Sequence, residues 1–153
     1  MSNSHGQERS ATAIAEACAR TMYENDRSSK RLGIVVDDVK PGYAEACMEV
    51  RRDMLDADST CHQGVIFTLA DTAFAYACNT YDEVTVAASC TIEYLNRPGA
   101  GEKLIAIAQE QWRRGRNGVC DVRVSDRSGR SIAIFRGKSF SMGTPLINSE
   151  QET

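Results

Sequence analysis

The sequence predicts an α+β fold in which an antiparallel sheet of five or six strands wraps around one long central helix, with an extra helix at the N-terminus. Residues 62–81 contain no proline and carry apolar side chains on every side of a helical wheel, which is the pattern of a buried helix. After this stretch, four segments alternate apolar and polar residues, as strands do. Short links join those segments, and short links favour antiparallel pairing.

The remaining elements follow from the same kinds of pattern. Residues 11 to about 31 repeat apolar side chains every three or four positions, which predicts the N-terminal helix, and Gly33 is placed to end it. Pro41 and Gly42 lie between two apolar segments and predict a hairpin. The four later strands are predicted at residues 85–94, 103–112, 120–125 and 131–141. A turn at 113–118, closed by Asn117 and Gly118, joins the second and third of these strands.

Length and composition bound the class of protein. The 153 residues suggest a single domain, predicted over 11–144, with a disordered tail at 1–10 and a C-terminal tail at 145–153. The chain is 42% hydrophobic and 25% charged, as globular proteins are. A net charge of −3 argues against nucleic-acid binding, and no segment has the composition of a membrane span or a signal peptide.

The cysteines and acidic residues lack the spacing of metal ligands. Six cysteines show no Cys-x-x-Cys spacing, and only two histidines accompany them, so no metal site is predicted. Several of these cysteines fall in apolar segments, as reduced core cysteines do, which predicts a cytoplasmic location. Asp53, Asp56 and Asp58 lack EF-hand spacing and are interpreted as a solvated acidic loop.

Asp71 is the anomaly of the central helix, because it places a carboxylate among apolar residues. Burying a lone carboxylate is unfavourable and shifts its pKa. Two interpretations stay open: a structural Asp that accepts hydrogen bonds, and a catalytic general base or nucleophile. At the start of the same helix, unpaired N–H groups of Gln63 and Gly64 could polarise a carbonyl oxygen.

Geometry links these two features only through a second chain. Gln63 and Asp71 lie eight residues apart, so about 12 Å along a helix and about 80° around its axis. That separation is too large for both groups to act on one carbonyl. Antiparallel packing of the same helix from a second chain would bring each Asp71 to the other chain's helix start. A catalytic Asp71 therefore predicts a homodimer with shared sites.

Several motifs together resemble one family. The most specific is Cys61-His62-Gln63-Gly64 followed by Leu-Ala-Asp-Thr-Ala at 69–73. Weaker matches lie at residues 22–26, 88–92, 97–99 and 135–139. With these motifs the chain resembles the hot-dog-fold acyl-CoA thioesterases of the phenylacetate-pathway (PaaI) type.

The resemblance implies hydrolysis of acyl-CoA thioesters to a free acid and CoA. The acyl group would be aromatic, such as phenylacetyl or hydroxyphenylacetyl, or medium-chain. The resemblance also implies a homodimer, often paired into a homotetramer, and no cofactor, since CoA is part of the substrate. Two alternatives stay open: an enoyl-thioester hydratase or dehydratase that pairs His62 with the partner's Asp71, and a non-catalytic acyl-CoA-binding module.

The resemblance also assigns the catalytic residues. Asp71 matches the acidic residue of the family's central helix. Gln63 and Gly64 match two glycines at its start, so the first glycine is replaced here. The backbone N–H of Gln63 remains, while its side chain enters a space that family members keep open.

Four further residues are substrate-binding candidates: Asp56, His62, Thr72 and Ser89. Asp56 stands where the family commonly has Asn, so an amide donor becomes a carboxylate that only accepts. Ser89 matches a position where a hydroxyl helps to orient the nucleophile or the thiolate. His62 is either a general base or a residue that shapes the helix start.

Basic residues in the C-terminal half are candidates for binding the phosphates of CoA, because Arg contacts phosphate bidentately and Lys as a point charge. The candidates are Arg113, Arg136 and Lys138, with Arg114 and Arg116 beside the first. Ordinary surface charge is the alternative for each of them.

Overall fold

The order of helices and strands follows the prediction, with the N-terminal helix divided in two. The computed structural model describes residues 9–147. Its helices are α1 (Ala11–Glu24), α2 (Arg27–Leu32) and α3 (Gln63–Cys78), and a short 3₁₀ helix spans Arg52–Met54. Its strands are β1 (Val35–Lys40), β2 (Tyr43–Glu49), β3 (Thr85–Tyr94), β4 (Lys103–Arg114), β5 (Asn117–Asp126) and β6 (Ser131–Ser141).

The six strands of the described chain form one antiparallel sheet in the order β1-β2-β4-β5-β6-β3. This order places β1 and β3 at the two edges. The predicted turn residues between β4 and β5 are wrong, because Asn117 and Gly118 belong to β5. Gly115 makes the turn instead, with a φ of 57° in the left-handed region, and Gly118 is needed where β5 closely approaches Ser139.

The sheet curves around α3 and presents an apolar inner face to it. Phe135 of β6 is fully buried, and its ring lies 5.5 Å from the rings of both Phe67 and Phe74. Gly137 lies two residues further along β6, where any Cβ would collide with the Phe74 ring. Gly137 therefore lets α3 approach the sheet closely, and such close packing is required if the helix is to be buried.

One stripe of α3 is left uncovered by the chain itself. Gly64, Thr68, Asp71, Thr72 and Ala75 recur at the helical spacing and are only partly buried or exposed, whereas the opposite side of the helix is buried. The helix is also shorter than the predicted 62–81. It ends at Cys78 because the Asn79 side chain donates to Ala75 O and binds both backbone polar groups of Thr85.

The predicted helix at 11–31 breaks at Asn25 and Asp26. The Asp26 carboxylate accepts the N–H of Ser29 at 3.0 Å and so caps α2. Its other oxygen accepts the hydroxyl of Tyr76, also at 3.0 Å. The break is thus held by a contact with α3 that lies 50 residues away in the chain. Gly33 ends α2 with a φ of 70°, as predicted.

Both predicted tails extend beyond the described residues, and 1–8 and 148–153 lie outside them. Of the described parts, Ser10 caps α1 by accepting the N–H of Ala13 at 3.1 Å. The N–H groups of Leu146 and Ile147 donate to the Asp82 carboxylate at 3.1 and 2.7 Å. Ser10 and residues 145–147 are therefore part of the folded domain. Within residues 9–147, no helix is both long enough and apolar enough to cross a bilayer.

Replacing Tyr76 with Phe should test the contact between α3 and the helical break. Tyr76→Phe removes a hydrogen bond to a carboxylate, so we expect a loss of about 1.5–3 kcal/mol in the free energy of unfolding, measured by urea titration at fixed protein concentration. Tyr43→Phe is the control, since that hydroxyl lies 3.3 Å from Glu45 on a strand and should change stability by less than about 0.5 kcal/mol. Equal effects of the two changes would contradict the assignment.

Candidate active site

The start of α3 leaves one backbone N–H open. His62 caps the helix, because its Nδ1 accepts the N–H of Gly64 at 2.9 Å. A Cβ on residue 64 would lie 3.0 Å from that nitrogen, so glycine leaves room for the ring. Nothing in residues 9–147 accepts a hydrogen bond from the N–H of Gln63. That N–H stands at the positive end of the helix dipole.

Asp71 lies two turns further along α3, on the uncovered stripe. Burial raises the pKa of its carboxyl above the ordinary value. Among the described residues no side chain or backbone group hydrogen-bonds to this carboxylate. It is therefore a carboxylate whose desolvation is not offset, and such groups are typical of functional sites.

Cys90 of β3 is a neighbour of Asp71 that the sequence analysis did not identify. It pairs with Gly137, which faces Phe74, so Cys90 also faces α3. Burial and then the charge of Asp71 raise the pKa of the Cys90 thiol. The signal was present in the alternation of β3, where Cys90, Ile92 and Tyr94 share the apolar side.

Thr72 lies beside Asp71 on α3, and Ser89 lies on the opposite face of the sheet from α3. Thr72 lies next to Asp71, and its hydroxyl donates to Thr68 O at 2.7 Å, which leaves its oxygen lone pairs available. Ser89 pairs with the exposed Lys138, one position before Cys90. Successive strand residues point to opposite faces, so Ser89 lies on the outer face of the sheet, away from α3. The structure thus separates Ser89 from Asp71 within one chain.

Asp56 is engaged by its own loop. Its carboxylate accepts the N–H of Asp58 at 3.0 Å and that of Thr60 at 3.2 Å, and it lies 3.1 Å from Arg97. Hydrogen bonds from Thr60, then from Asp58, and the charge of Arg97 hold the pKa of this carboxyl below its usual range. Asp53 is paired separately with Arg51 at 3.0 Å. Residues 9–147 contain no group of three side chains arranged to hold a metal ion.

Of the three phosphate-binding candidates, Arg136 and Lys138 share the outer face of β6, and Arg113 lies on β4. Arg136 is bound bidentately by Asp121 at 2.6 and 2.7 Å on the outer face of the sheet. The guanidinium of Arg113 stacks 3.9 Å from the Tyr81 ring centroid and lies 3.5 Å from Glu83. Lys138 is exposed on the outer face, and in the described part of the chain nothing pairs with its ammonium group.

A six-stranded antiparallel sheet curved around one long helix is the hot-dog fold, and an uncompensated carboxylate lies on the open side of that helix. Comparison with known proteins agrees, since the sequence profile of the thioesterase superfamily matches residues 58–133. Acyl-coenzyme A thioesterase PaaI of Escherichia coli K12 is 44% identical over 126 residues, covering 82% of this chain and 89% of that protein. The chain therefore belongs to the thioesterase superfamily.

Solved structures show the same fold. The structure of the E. coli PaaI protein from the phenylacetic acid degradation operon has a TM-score of 0.87 and 40% identity, covering 89% of this chain and 99% of that one. The TT0310 protein of Thermus thermophilus has a TM-score of 0.73 and 37% identity, covering 76% and 97%. A Streptococcus mutans UA159 protein bound to acetyl CoA has a TM-score of 0.70 at 21% identity, covering 73% and 90%, which is a likeness of fold alone.

The raised pKa of Asp71 predicts how stability depends on pH. Its contribution is most favourable below the ordinary pKa of 3.8 and is lost as pH rises through the higher folded pKa. We expect Asp71→Asn to be more stable than the unmodified protein at neutral pH, with the advantage shrinking as pH falls toward 3.8. Urea titrations at several pH values measure this.

Asp121→Asn is the matched control with the opposite sign. Hydrogen bonds from Arg136 lower the pKa of Asp121, so this carboxylate stabilises the fold above 3.8 and loses that effect as pH falls through its folded pKa. Asp121→Asn should therefore be destabilised at neutral pH. A loss of stability in Asp71→Asn at neutral pH would mean that its carboxylate has a partner after all.

Proposed function

We propose that the protein hydrolyses acyl-CoA thioesters to a free acid and CoA, in sites shared between two subunits. The observation that carries the proposal is Asp71, a half-buried carboxylate without a partner among the described residues, on the helix whose first N–H is open. The similarity of the chain to an acyl-coenzyme A thioesterase, at 44% identity, supports the choice of substrate class. No cofactor is needed, because CoA is itself part of the substrate.

The N–H of Gln63 polarises the thioester carbonyl. Negative charge develops on that oxygen as the carbonyl carbon becomes tetrahedral, and a fixed N–H at a helix start stabilises it. Gly64 contributes indirectly, since its N–H is already donated to His62 and its lack of a side chain leaves room for the His62 ring. His62 is thus a positioning residue in this proposal.

Asp71 supplies the base or the nucleophile. As a general base it takes a proton from water, whose oxygen bonds to the acyl carbon while the carbon–sulfur bond breaks and the thiolate recovers the proton. As a nucleophile it forms a mixed anhydride that water then hydrolyses. Both routes give the free acid and CoA. After a single turnover in water labelled with heavy oxygen, label in the Asp71 side chain would identify the anhydride route, because only attack of water on the Asp71 carbonyl of the anhydride places it there.

The acyl group lies between α3 and β3 in this proposal. Phe67 on the helix and Ile92 and Tyr94 on the strand are half-buried apolar side chains at that edge. An aromatic acyl group such as phenylacetyl or hydroxyphenylacetyl can pack edge-to-face against Phe67, and a medium-chain group can occupy the same apolar wall. For binding the CoA phosphates we propose Lys138 first. Arg136 and Arg113 are further candidates, which would each exchange a carboxylate partner for a phosphate.

Two uncovered features of the single chain support the proposed homodimer. The stripe of small residues on α3 allows a second helix to approach closely, and β3 is an edge strand with exposed side chains such as Val86 at 46%. Exposed apolar residues on the outer sheet face, Ile107, Ile134 and Phe140, suit a second contact that pairs dimers into a homotetramer. The six free cysteines suit a reducing, cytoplasmic setting.

Substitution of Asp71 tests the chemistry. With a panel of aromatic and medium-chain acyl-CoA substrates, assayed by thiol release, Asp71→Asn should lower kcat by at least about 100-fold with a smaller change in KM, because the carboxylate acts chiefly in the transition state. Asp38→Asn changes an exposed carboxylate on β1 and should leave both constants unaltered. Normal turnover by Asp71→Asn refutes the role of that carboxylate. Turnover of no acyl-CoA by the unmodified protein refutes the function.

Subunit complementation tests the shared site. Gln63→Pro removes the open N–H together with the Gln63 side chain, and proline suits this first helical position because His62 has an extended ψ of 130°. Asp71→Asn and Gln63→Pro should each be inactive alone. Their heterodimer has one site with both defects and one with neither, so about half of the activity per dimer should return.

Gln63→Ala keeps the N–H and serves as the control that should remain active. Subunit exchange is verified by mass spectrometry of differently tagged chains. Verified exchange without recovered activity would contradict the shared-site mechanism, as would a fully active monomer.

A further inference from the structure

The loop between the 3₁₀ helix and α3 is closed on itself around Asp56. Leu55 and Cys61 pair as an isolated bridge, and Asp56 N–H donates to Thr60 O at 2.8 Å. The Asp56 carboxylate accepts both N–H groups of Asp58 and Thr60, and the hydroxyl of Thr60 lies 3.3 Å away. Its accepting capacity is therefore largely used inside the loop rather than offered to a substrate.

The loop between β3 and β4 contacts the Asp56 loop through Arg97 and Pro98. Nη2 of Arg97 lies 3.1 Å from Asp56 Oδ2 and 3.1 Å from Asp58 Oδ2, so one guanidinium joins two carboxylates. The next residue, Pro98, accepts the N–H of Cys61 at 2.8 Å. Arg97 lies 41 residues from Asp56 in the chain, so this is a tertiary contact.

The clamped loop leads directly into the open N–H of α3. Cys61 is held by Pro98, His62 N–H donates to Met54 O at 2.8 Å, and Gln63 follows as the first residue of the helix. The direction of the Gln63 N–H is therefore set by contacts to Pro98, which follows Arg97, and to Met54, which lies two residues before Asp56. A displacement of about 1 Å at such a group is enough to lower a rate by about 100-fold.

We propose that Arg97 and Asp56 are a positioning pair, which clamps the loop at 55–61 and thereby aims the N–H of Gln63 at the substrate carbonyl. The pair touches no substrate in this assignment, which replaces the substrate-binding role that the sequence suggested for Asp56. The inference rests on the proposed function for its catalytic consequence, and on the structure alone for the clamp. Since Arg97 is exposed and Asp56 is still partly accessible to solvent, their effect on overall stability should be small.

Kinetics of Arg97 variants provide the first test. Arg97→Ala should lower kcat for acyl-CoA hydrolysis by about 10- to 100-fold with little change in KM, because alignment matters most in the transition state. Arg97→Lys should restore part of the loss, since an ammonium keeps the charge but lacks the fork of the guanidinium. In an Asp56→Asn background, Arg97→Ala should have a much smaller effect, because the two residues act through one contact.

Hydrogen exchange of the protein provides a second test that needs no substrate. Backbone amides in residues 55–66 should exchange faster in Arg97→Ala, while those of the central sheet remain unchanged. Lys40→Ala is the control, since it breaks an ion pair of similar length, 3.2 Å, on β1 and should alter neither exchange nor kcat.

The outcomes separate the two proposals. Unchanged exchange in Arg97→Ala overturns the clamp. Faster exchange with normal kcat, or a kcat loss that Asp56→Asn does not reduce, overturns the positioning role. If the unmodified protein hydrolyses no acyl-CoA, the proposed function fails, and the exchange measurement still decides whether the clamp exists.

Discussion

The contact of Phe74 with Gly137 determines how α3 sits on the sheet. Because residue 137 has no side chain, the helix settles close to β6, and Phe135 fixes its rotation by meeting Phe67 and Phe74 from the sheet side. Asp71 precedes Phe74 by three residues, so it lies about 60° around the helix from it. That rotation places the carboxylate at the boundary between the covered side and the open stripe. A different rotation would leave Asp71 fully solvated or fully buried.

Four aspartates in this fold differ in the hydrogen-bond partners of their carboxylates. Asp26 caps α2 and receives the Tyr76 hydroxyl, Asp56 is bound within its loop, and Asp121 is held by Arg136. Asp71 alone among these four has no hydrogen bond within the described chain, and burial raises the pKa of its carboxyl. The fold supplies hydrogen-bond partners for the other three carboxylates. A carboxylate that is buried without such a partner, as Asp71 is among the described residues, is typical of a functional site.

The two edge strands of the sheet, β1 and β3, differ in how open they are to pairing with another strand. At β1 the edge is interrupted by a bulge between Val36 and Asp38 and by charged side chains, features that discourage pairing with another strand. At β3 the edge is long and largely exposed, and it borders the open stripe of α3. A second copy of the chain would cover both uncovered features together. The clamp at Arg97 would then align one helix start with the partner's Asp71.

The sequence by itself determined the elements and the central anomaly. Apolar residues on all sides of 62–81, alternation in the later strands and short links were sufficient for the antiparallel sheet and its helix, because burial period is a local property of the chain. The same pattern exposed Asp71, since a carboxylate among apolar residues is visible without coordinates. The helix start at Gln63 was also visible in the sequence, because the apolar helical pattern begins there.

Tertiary structure decided everything that depends on contacts between distant residues. The break at Asp26 is held by Tyr76, and the role of Asp56 depends on Arg97, which no local pattern connects to it. Ser89 was assigned to the site by resemblance, although strand alternation places it on the opposite face from Cys90. A bulge between Ala87 and Ser89 also turns Val86 outward, against the simple alternation. The open stripe appeared only in three dimensions, because one curved sheet is too small to surround a helix.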